Sequence, residues 1–118
     1  MNTRTNFRME DFKNITMVRG DTLSFGIVIK DDEGHPLDIE SAYFSCKKNL
    51  EDEEFLFQKS LGEGITKIDD GKYSVRIAPS DTSGVEVGKY FYDCQIGKNG
   101  DVFTILRGIF VIEWEVTE

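Results

Sequence analysis

Short runs in which every second residue is hydrophobic recur along most of the chain. The alternation is clearest in residues 23–29 and in residues 90–96, where the intervening side chains are mostly small or polar. Successive side chains of a β-strand point to opposite faces, so one face of each run would lie on a core. No segment sustains the period of about 3.6 residues that is typical of an amphipathic helix. The pattern therefore predicts an all-β protein.

Turn-forming residues separate these runs. The acidic segment 51–54 stands between two runs and predicts a hairpin with a charged tip. The pair Asn99-Gly100 predicts a tight hairpin that leads into a long final strand. Residues 79–88 are the one segment that we expect to hold a helical turn. Turn signals about every eight to twelve residues are typical of a β-sandwich or a barrel.

The final strand changes phase along its length. Phe103 and Ile105 share one parity, whereas the hydrophobic residues from Phe110 onward share the other, and Gly108 lies between the two sets. A β-bulge near Arg107 and Gly108 would switch the inward face at that point. Alternatively, both faces of the strand are partly covered.

Length and charge narrow the classes of function. The 118 residues predict one domain, and 22 acidic against 14 basic residues give a net charge of −8. Such a surface repels nucleic-acid phosphates and anionic membranes, so neither partner is expected. No apolar run approaches the length of about 18 residues that a membrane span needs. The first residues contain no apolar stretch like that of a secretory signal, so we expect the chain to be made and first kept in the cytoplasm.

The residue types that support catalysis or metal binding are sparse. Cys46 and Cys94 lack a second pair of ligands, so we expect buried free thiols and no zinc site. The acidic clusters lack the alternating spacing of a calcium loop. His35, the one histidine, lies in a turn with no assignable nucleophile. We therefore predict no catalytic residue, no metal ligand, no cofactor and no enzymatic activity.

Six short segments carry a resemblance to a known family. They are RGDT (19–22), DEGHPLD (32–38), DGKY (70–73), PSDT (79–82), GKYFYD (88–93) and TILRGIF (104–110). In that order, over about residues 14–117, they resemble the immunoglobulin-like domains of phage and prophage tail or baseplate proteins, notably the amino-terminal domain of baseplate upper proteins from phages of Gram-positive bacteria. The resemblance implies a virion structural or adhesion-related role without catalysis.

A second likeness lies at the start of the segment 88–93. Gly88-x-Tyr90-x-Tyr92 is similar to the G-x-Y-x-C corner of immunoglobulin domains, and it predicts that the Tyr90 hydroxyl bonds to backbone upstream. Residues 23–29 hold no cysteine, so the inter-sheet disulfide is not expected. We therefore predict an immunoglobulin-like antiparallel β-sandwich of about seven to nine strands. It would occupy residues 14–118, after a flexible segment 1–13.

These expectations lead to a structural role with two alternatives. The first hypothesis is a phage or prophage module of the tail, the baseplate or the head decoration. It would contact other virion proteins or its own copies in a ring-like homo-oligomer, with neither nucleic acid nor membrane as partner. It would be found in the bacterial host cytoplasm and then in the virion. One alternative is a small acidic inhibitor of a host protein, and the other is a cell-wall carbohydrate-binding module.

Eight residues are the candidates for an interface. Four are aromatics that could be exposed, although core packing is the alternative for most of them, and Trp114 is the strongest candidate. Four form the acidic segment that an inhibitor would use in place of phosphates. The candidates are Tyr43, Phe91, Phe103, Trp114, Glu51, Asp52, Glu53 and Glu54.

Overall fold

The computed structural model describes residues 13–116, and within them β-strands are the main regular structure. The all-β prediction is confirmed. The single helical turn falls in the segment where one was expected. The elements are β1 (Ile15–Val18), β2 (Leu23–Val28), β3 (Ser41–Lys47), β4 (Phe57–Leu61), β5 (Gly64–Asp69), β6 (Lys72–Ile77), α1 (Pro79–Thr82), β7 (Gly88–Lys98) and β8 (Asp101–Glu113).

The eight strands form one hydrogen-bonded sheet in the order β1-β8-β7-β3-β4-β5-β6-β2. The predicted antiparallel pairing is present between most neighbouring strands, but the sheet is mixed, because β1 runs parallel to β8 and β4 runs parallel to β5. β1 and β8 lie at opposite ends of the described chain, so local alternation does not fix their relative direction, whereas β4 and β5 are separated only by Gly62 and Glu63. A groove separates β2 from the β1–β8 side of the sheet, so the sheet is nearly closed into a barrel.

Two predicted hairpins are present. Asn99 and Gly100 have positive φ angles of 55° and 84°, the left-handed conformation that a type I′ turn needs between β7 and β8. β3 and β4 pair antiparallel around the acidic segment, with Cys46 opposite Phe57. These turns bring β8, β7, β3 and β4 side by side.

Aromatic rings fill the inward face of these four strands. The Phe44 ring lies 5.2 Å from the Tyr92 ring and 6.2 Å from the Phe110 ring, centroid to centroid. Cys46 and Cys94 are fully buried in the same core and remain free thiols, as the sequence predicts. Burying this apolar surface is the main stabilising contribution to such a sheet.

The long final strand contains a bulge, but not at the predicted position. Cys94 pairs with Leu106 and Gln95 with Thr104, so Ile105 is the extra residue. The inward face therefore switches before Arg107 and Gly108. Gly108 has a different role, because a Cβ at this position would clash with the backbone carbonyl of Lys13, which passes close by.

Two tyrosine hydroxyls fix chain segments to the core. The Tyr90 hydroxyl donates to the Glu86 carbonyl oxygen at 2.5 Å, which confirms the predicted bond to backbone upstream. The Tyr92 hydroxyl donates to the Lys13 carbonyl oxygen at 2.5 Å. Lys13 also donates its N–H to the Arg107 carbonyl oxygen at 2.9 Å. The rest of the predicted flexible segment 1–13 lies outside the described residues.

Candidate functional site

The outward face of β3 and β7 presents the side chains that alternate with the aromatic core. Their positions follow from the strand period of two residues, since Phe44 and Tyr92 point inward. The register brings them together in cross-strand pairs. These pairs are Tyr43 with Gln95, Ser45 with Asp93, and Lys47 with Phe91.

This face contains a recess of about 380 Å³, called here the outer recess. The β3–β4 loop supplies Leu50 and Phe55, and β4 supplies Gln58. Its hydrophobic side chains face solvent: Tyr43 is 45% exposed, Phe55 44% and Leu50 69%. The rest of its wall is formed by Ser45, Lys47, Phe91, Asp93 and Gln95, with part of Tyr92.

Asp93 is the carboxylate of the outer recess. Burial raises the pKa of Asp93, and the nearby charge of Lys47 lowers it in part. No protein donor among residues 13–116 forms a hydrogen bond with this side chain. The neighbouring Gln58 and Gln95 side chains do have partners, because their amides donate to the hydroxyls of Ser45 and Thr104. The carboxylate has therefore lost part of its hydration without a replacement donor from the described chain.

A basic side chain lies over one wall of the outer recess. The Lys47 ammonium is 5.5 Å from the centroid of the Phe55 ring, which is within the range of a cation–π interaction. Phe55 belongs to the same loop that carries the acidic residues. The site thus combines exposed rings, one desolvated carboxylate and one cation of its own.

The acidic residues stand between two residues that line the outer recess, Leu50 and Phe55. Most of them are exposed, and Asp52 is half-buried where its carboxylate accepts the Asn49 N–H at 3.0 Å. The acidic loop, defined as Glu51, Asp52, Glu53 and Glu54, is therefore the chain segment that connects these two lining residues.

The predicted interface residues fall in three places. Tyr43 and Phe91 line the outer recess, and the acidic loop connects two of its other lining residues. Phe103 is half-buried and packs against the core. Trp114 is 67% exposed outside the outer recess, with the Arg19 guanidinium 4.8 Å from its ring centroid.

Sequence reasoning missed several lining residues of the outer recess. Asp93 and Gln95 could have been found on β7, because they alternate with the buried run that begins at Tyr90. Leu50 and Phe55 carried no such signal, because a loop has no period that would assign a face. Lys47 could not be singled out from the sequence, because a charged residue in a strand carries no signal that distinguishes it from the other lysines.

The histidine and the two cysteines do not line the outer recess. The His35 side chain is exposed in its turn, where Nδ1 lies 3.6 Å from an Asp31 oxygen and 3.5 Å from a Glu33 oxygen. Burial raises the pKa of both thiols, Cys46 and Cys94, to about 12, so neither forms a thiolate at neutral pH. Within residues 13–116, no three His, Cys, Asp or Glu side chains are grouped so that they could hold a metal ion.

Comparison with known proteins adds no assignment. No protein-family model matches the chain, and no curated protein matches it in sequence. In the described part of the chain, no helix has the length and apolar character needed to cross a membrane.

Proposed function

We propose that this protein is a non-enzymatic structural module of a phage or prophage particle, an immunoglobulin-like domain of the tail, the baseplate or the head decoration. It acts through protein–protein contacts with other virion proteins or with its own copies. The virion role rests on the six motifs that resemble such domains. The contact role rests on the exposed hydrophobic side chains of the outer recess, which is the single observation that carries it.

The strand order supports an immunoglobulin-like sandwich. In variable-type immunoglobulin domains, one sheet holds strands G, F, C and C′ in sequence, and the other holds B, E and D. Here β8-β7-β3-β4 and β2-β6-β5 follow the same two orders. Among residues 13–116, the strand pairing that joins the two groups consists of Ser60 with Gly64 and Leu61 with Ile65. The Tyr90 corner fits the same fold.

The outer recess supports a contact role because water-exposed apolar surface is costly to keep. Monomeric proteins rarely expose clustered large hydrophobic side chains unless the patch binds something. Tyr43, Leu50 and Phe55 are clustered here with polar groups at the rim, which is the composition of a protein interface. The inert thiols and the exposed His35 agree with a role that needs no chemistry.

Mass spectrometry of density-purified particles tests the virion role. After prophage induction of the strain that carries the gene, we expect the chain in particles at stoichiometric copy number. A chain that is abundant in the lysate and never found in particles would be evidence against a structural role.

A pair of matched variants tests the contact face. Tyr43→Thr removes a ring of the outer recess, whereas Ile68→Thr removes an exposed hydrophobic side chain from β5, outside it. We expect the first to reduce incorporation into particles and the second to leave it unchanged. Equal incorporation of both variants would exclude the outer recess as the assembly contact.

Carbohydrate binding is the second candidate function. The observation that favours it is that Tyr43 and Phe91 stand beside the amides of Gln58 and Gln95, and apolar walls with a few polar groups are usual in small-molecule sites. N-acetylglucosamine oligomers should then shift the backbone NMR signals of β3 and β7. Trp114 fluorescence would not report this binding, because Trp114 lies outside the outer recess.

The acidic-inhibitor alternative depends on the acidic loop alone. Reversing the charge of Glu51, Glu53 and Glu54 should abolish binding to a host target if these residues replace phosphates. Normal particle assembly by the same variant would separate that role from the structural one.

A further inference from the structure

We propose that the outer recess binds a basic protein segment and seats one arginine or lysine side chain against the Asp93 carboxylate, beside the Tyr43 and Phe91 rings. The inference rests on the proposed contact function and specifies the chemistry of the partner. Three independent features of the site support it: its carboxylate, its own cation and its charged surroundings.

The Asp93 carboxylate is the first feature. It is half-buried, and no protein donor among residues 13–116 bonds to it. A charged group that has lost water without gaining a partner is costly to the folded protein. A guanidinium or ammonium from a partner would restore both the hydrogen bonds and the opposite charge, and such charge-assisted bonds are the strong ones. A neutral ligand would restore only the hydrogen bonds.

Lys47 is the second feature, because it shows that the outer recess already holds a cation. Its ammonium lies 5.5 Å from the Phe55 ring, and its charge partly offsets the effect of burial on Asp93. Aromatic faces attract cations through their negative quadrupole. Tyr43 and Phe91 offer further rings in the same recess. Lys47 therefore competes with a partner's cation for this site.

The charge around the outer recess is the third feature. The acidic loop connects the lining residues Leu50 and Phe55, and the whole chain carries a net charge of −8. A field of this sign attracts basic partners and accelerates their encounter, and salt screens the attraction. A neutral glycan gains nothing from this field, so the charges favour a basic segment over a sugar.

An NMR titration of the full chain tests the proposal directly. The probe is a blocked hexapeptide that contains two arginines, and the control is the same peptide with citrulline, which is uncharged and nearly the same shape. We expect the arginine peptide to shift the amide signals of Tyr43, Ser45 and Asp93 to saturation. The citrulline peptide should bind about tenfold more weakly, since it lacks the charge-assisted bond.

Two variants with equal charge change locate the binding. Asp93→Asn should weaken the arginine peptide about tenfold. Asp101→Asn, at an exposed carboxylate beside the β7–β8 turn, should leave the affinity within about twofold, because distant exposed charges contribute little. Lys47→Met should raise the affinity, because it removes the competing cation. The spectrum of each variant reports whether it is folded.

The outcomes separate this inference from the proposed function. Equal affinity for both peptides, or equal effects of Asp93→Asn and Asp101→Asn, would overturn the inference. So would N-acetylglucosamine oligomers that shift these amides when the arginine peptide does not. Failure here with normal incorporation into particles leaves the virion role standing. Selective arginine binding by a chain that is absent from particles supports the inference and removes the virion role.

Discussion

The two faces of β3 are made by neighbouring residues and have opposite characters. Phe44 is fully buried, with rings of Phe25, Tyr92 and Phe110 around it. Tyr43, one residue earlier, is 45% exposed in the outer recess. The same strand therefore supplies the core and the candidate site, and a period of two residues is enough to separate the two roles.

The polar groups of the two faces differ in the same way. On the inward side, the hydroxyls of Tyr90 and Tyr92 each donate to a backbone carbonyl. On the outward side, Asp93 is half-buried and accepts no hydrogen bond from a protein donor within residues 13–116. The tyrosine hydroxyls on the inward side therefore have hydrogen-bond partners within the protein, whereas the Asp93 carboxylate on the outward side has none among the described residues. We expect stability to respond to changes on the first face and binding to changes on the second.

The largest change in stability is expected from removing the aromatic ring at the centre of the inward face. Phe44→Ala should lower the free energy of unfolding by about 3–5 kcal/mol, because a buried ring is lost and a cavity remains. Urea unfolding followed by circular dichroism measures the change. A loss below about 1 kcal/mol would mean that the core can collapse around the gap, and the contrast between the faces would weaken.

A smaller loss is expected from a single hydroxyl on the inward side. Tyr90→Phe removes the bond to the Glu86 carbonyl oxygen and should reduce stability by about 1 kcal/mol. The control is Tyr43→Phe, since the exposed Tyr43 makes no hydrogen bond through its hydroxyl within the described residues. Equal thermal midpoints for the two variants would show that the corner contributes nothing to stability.

Local signals were enough to predict much of the inward face. The run from Tyr90 to Ile96 fixed which β7 residues are buried, and Asn99-Gly100 fixed the turn that follows. The parallel pairing of β1 with β8 could not be predicted from local sequence patterns, because its hydrogen bonds join opposite ends of the described chain. The bulge at Ile105 was misplaced because Gly108 seemed to explain the phase change, whereas it accommodates the Lys13 backbone.

The sequence allowed us to predict some residues of the outer recess but not the recess itself, and the physical reason differs from that for the inward face. Tyr43 and Phe91 could be singled out from the sequence as candidate interface aromatics. The recess itself depends on the β3–β4 loop, which brings Leu50 and Phe55 against the sheet. Asp93 lies in the same recess and is half-buried there. Neither the position of a loop nor the hydration of a strand carboxylate is encoded in a two-residue period.

Replacing Asp93, the unpaired carboxylate of the outward face, is expected to increase the stability of the protein. Burial raises the pKa of Asp93, although Lys47 lowers it in part, and Arg107 of β8 lies opposite in the register. The folded chain therefore binds its proton more tightly than the unfolded chain, whose carboxyl has a pKa of about 3.9. As the pH rises through the window between these two pKa values, stability falls, and the loss persists at neutral pH.

Asp93→Asn should remove this pH-dependent loss. At pH 7 the variant should be more stable than the wild type by about 0.5 kcal/mol, a value that allows for solvent screening of a half-exposed group. The difference in stability between the variant and the wild type should disappear at pH values below the pKa of the Asp93 carboxyl in the unfolded chain. Urea unfolding at several pH values measures it. A variant that is less stable at pH 7 would show that the carboxylate is already paired in the free protein.

The smallest effect on stability is expected at Tyr43, and it is the sharpest test of the contrast with Phe44. Tyr43→Thr keeps a good strand-forming residue and removes a ring that is half in water, so stability should change by less than about 0.5 kcal/mol. The same change should weaken the arginine peptide by about threefold, since one cation–π partner is lost. The two quantities come from one urea series and one NMR titration. A large loss of stability with unchanged peptide affinity would make the outward face a structural surface like the inward one.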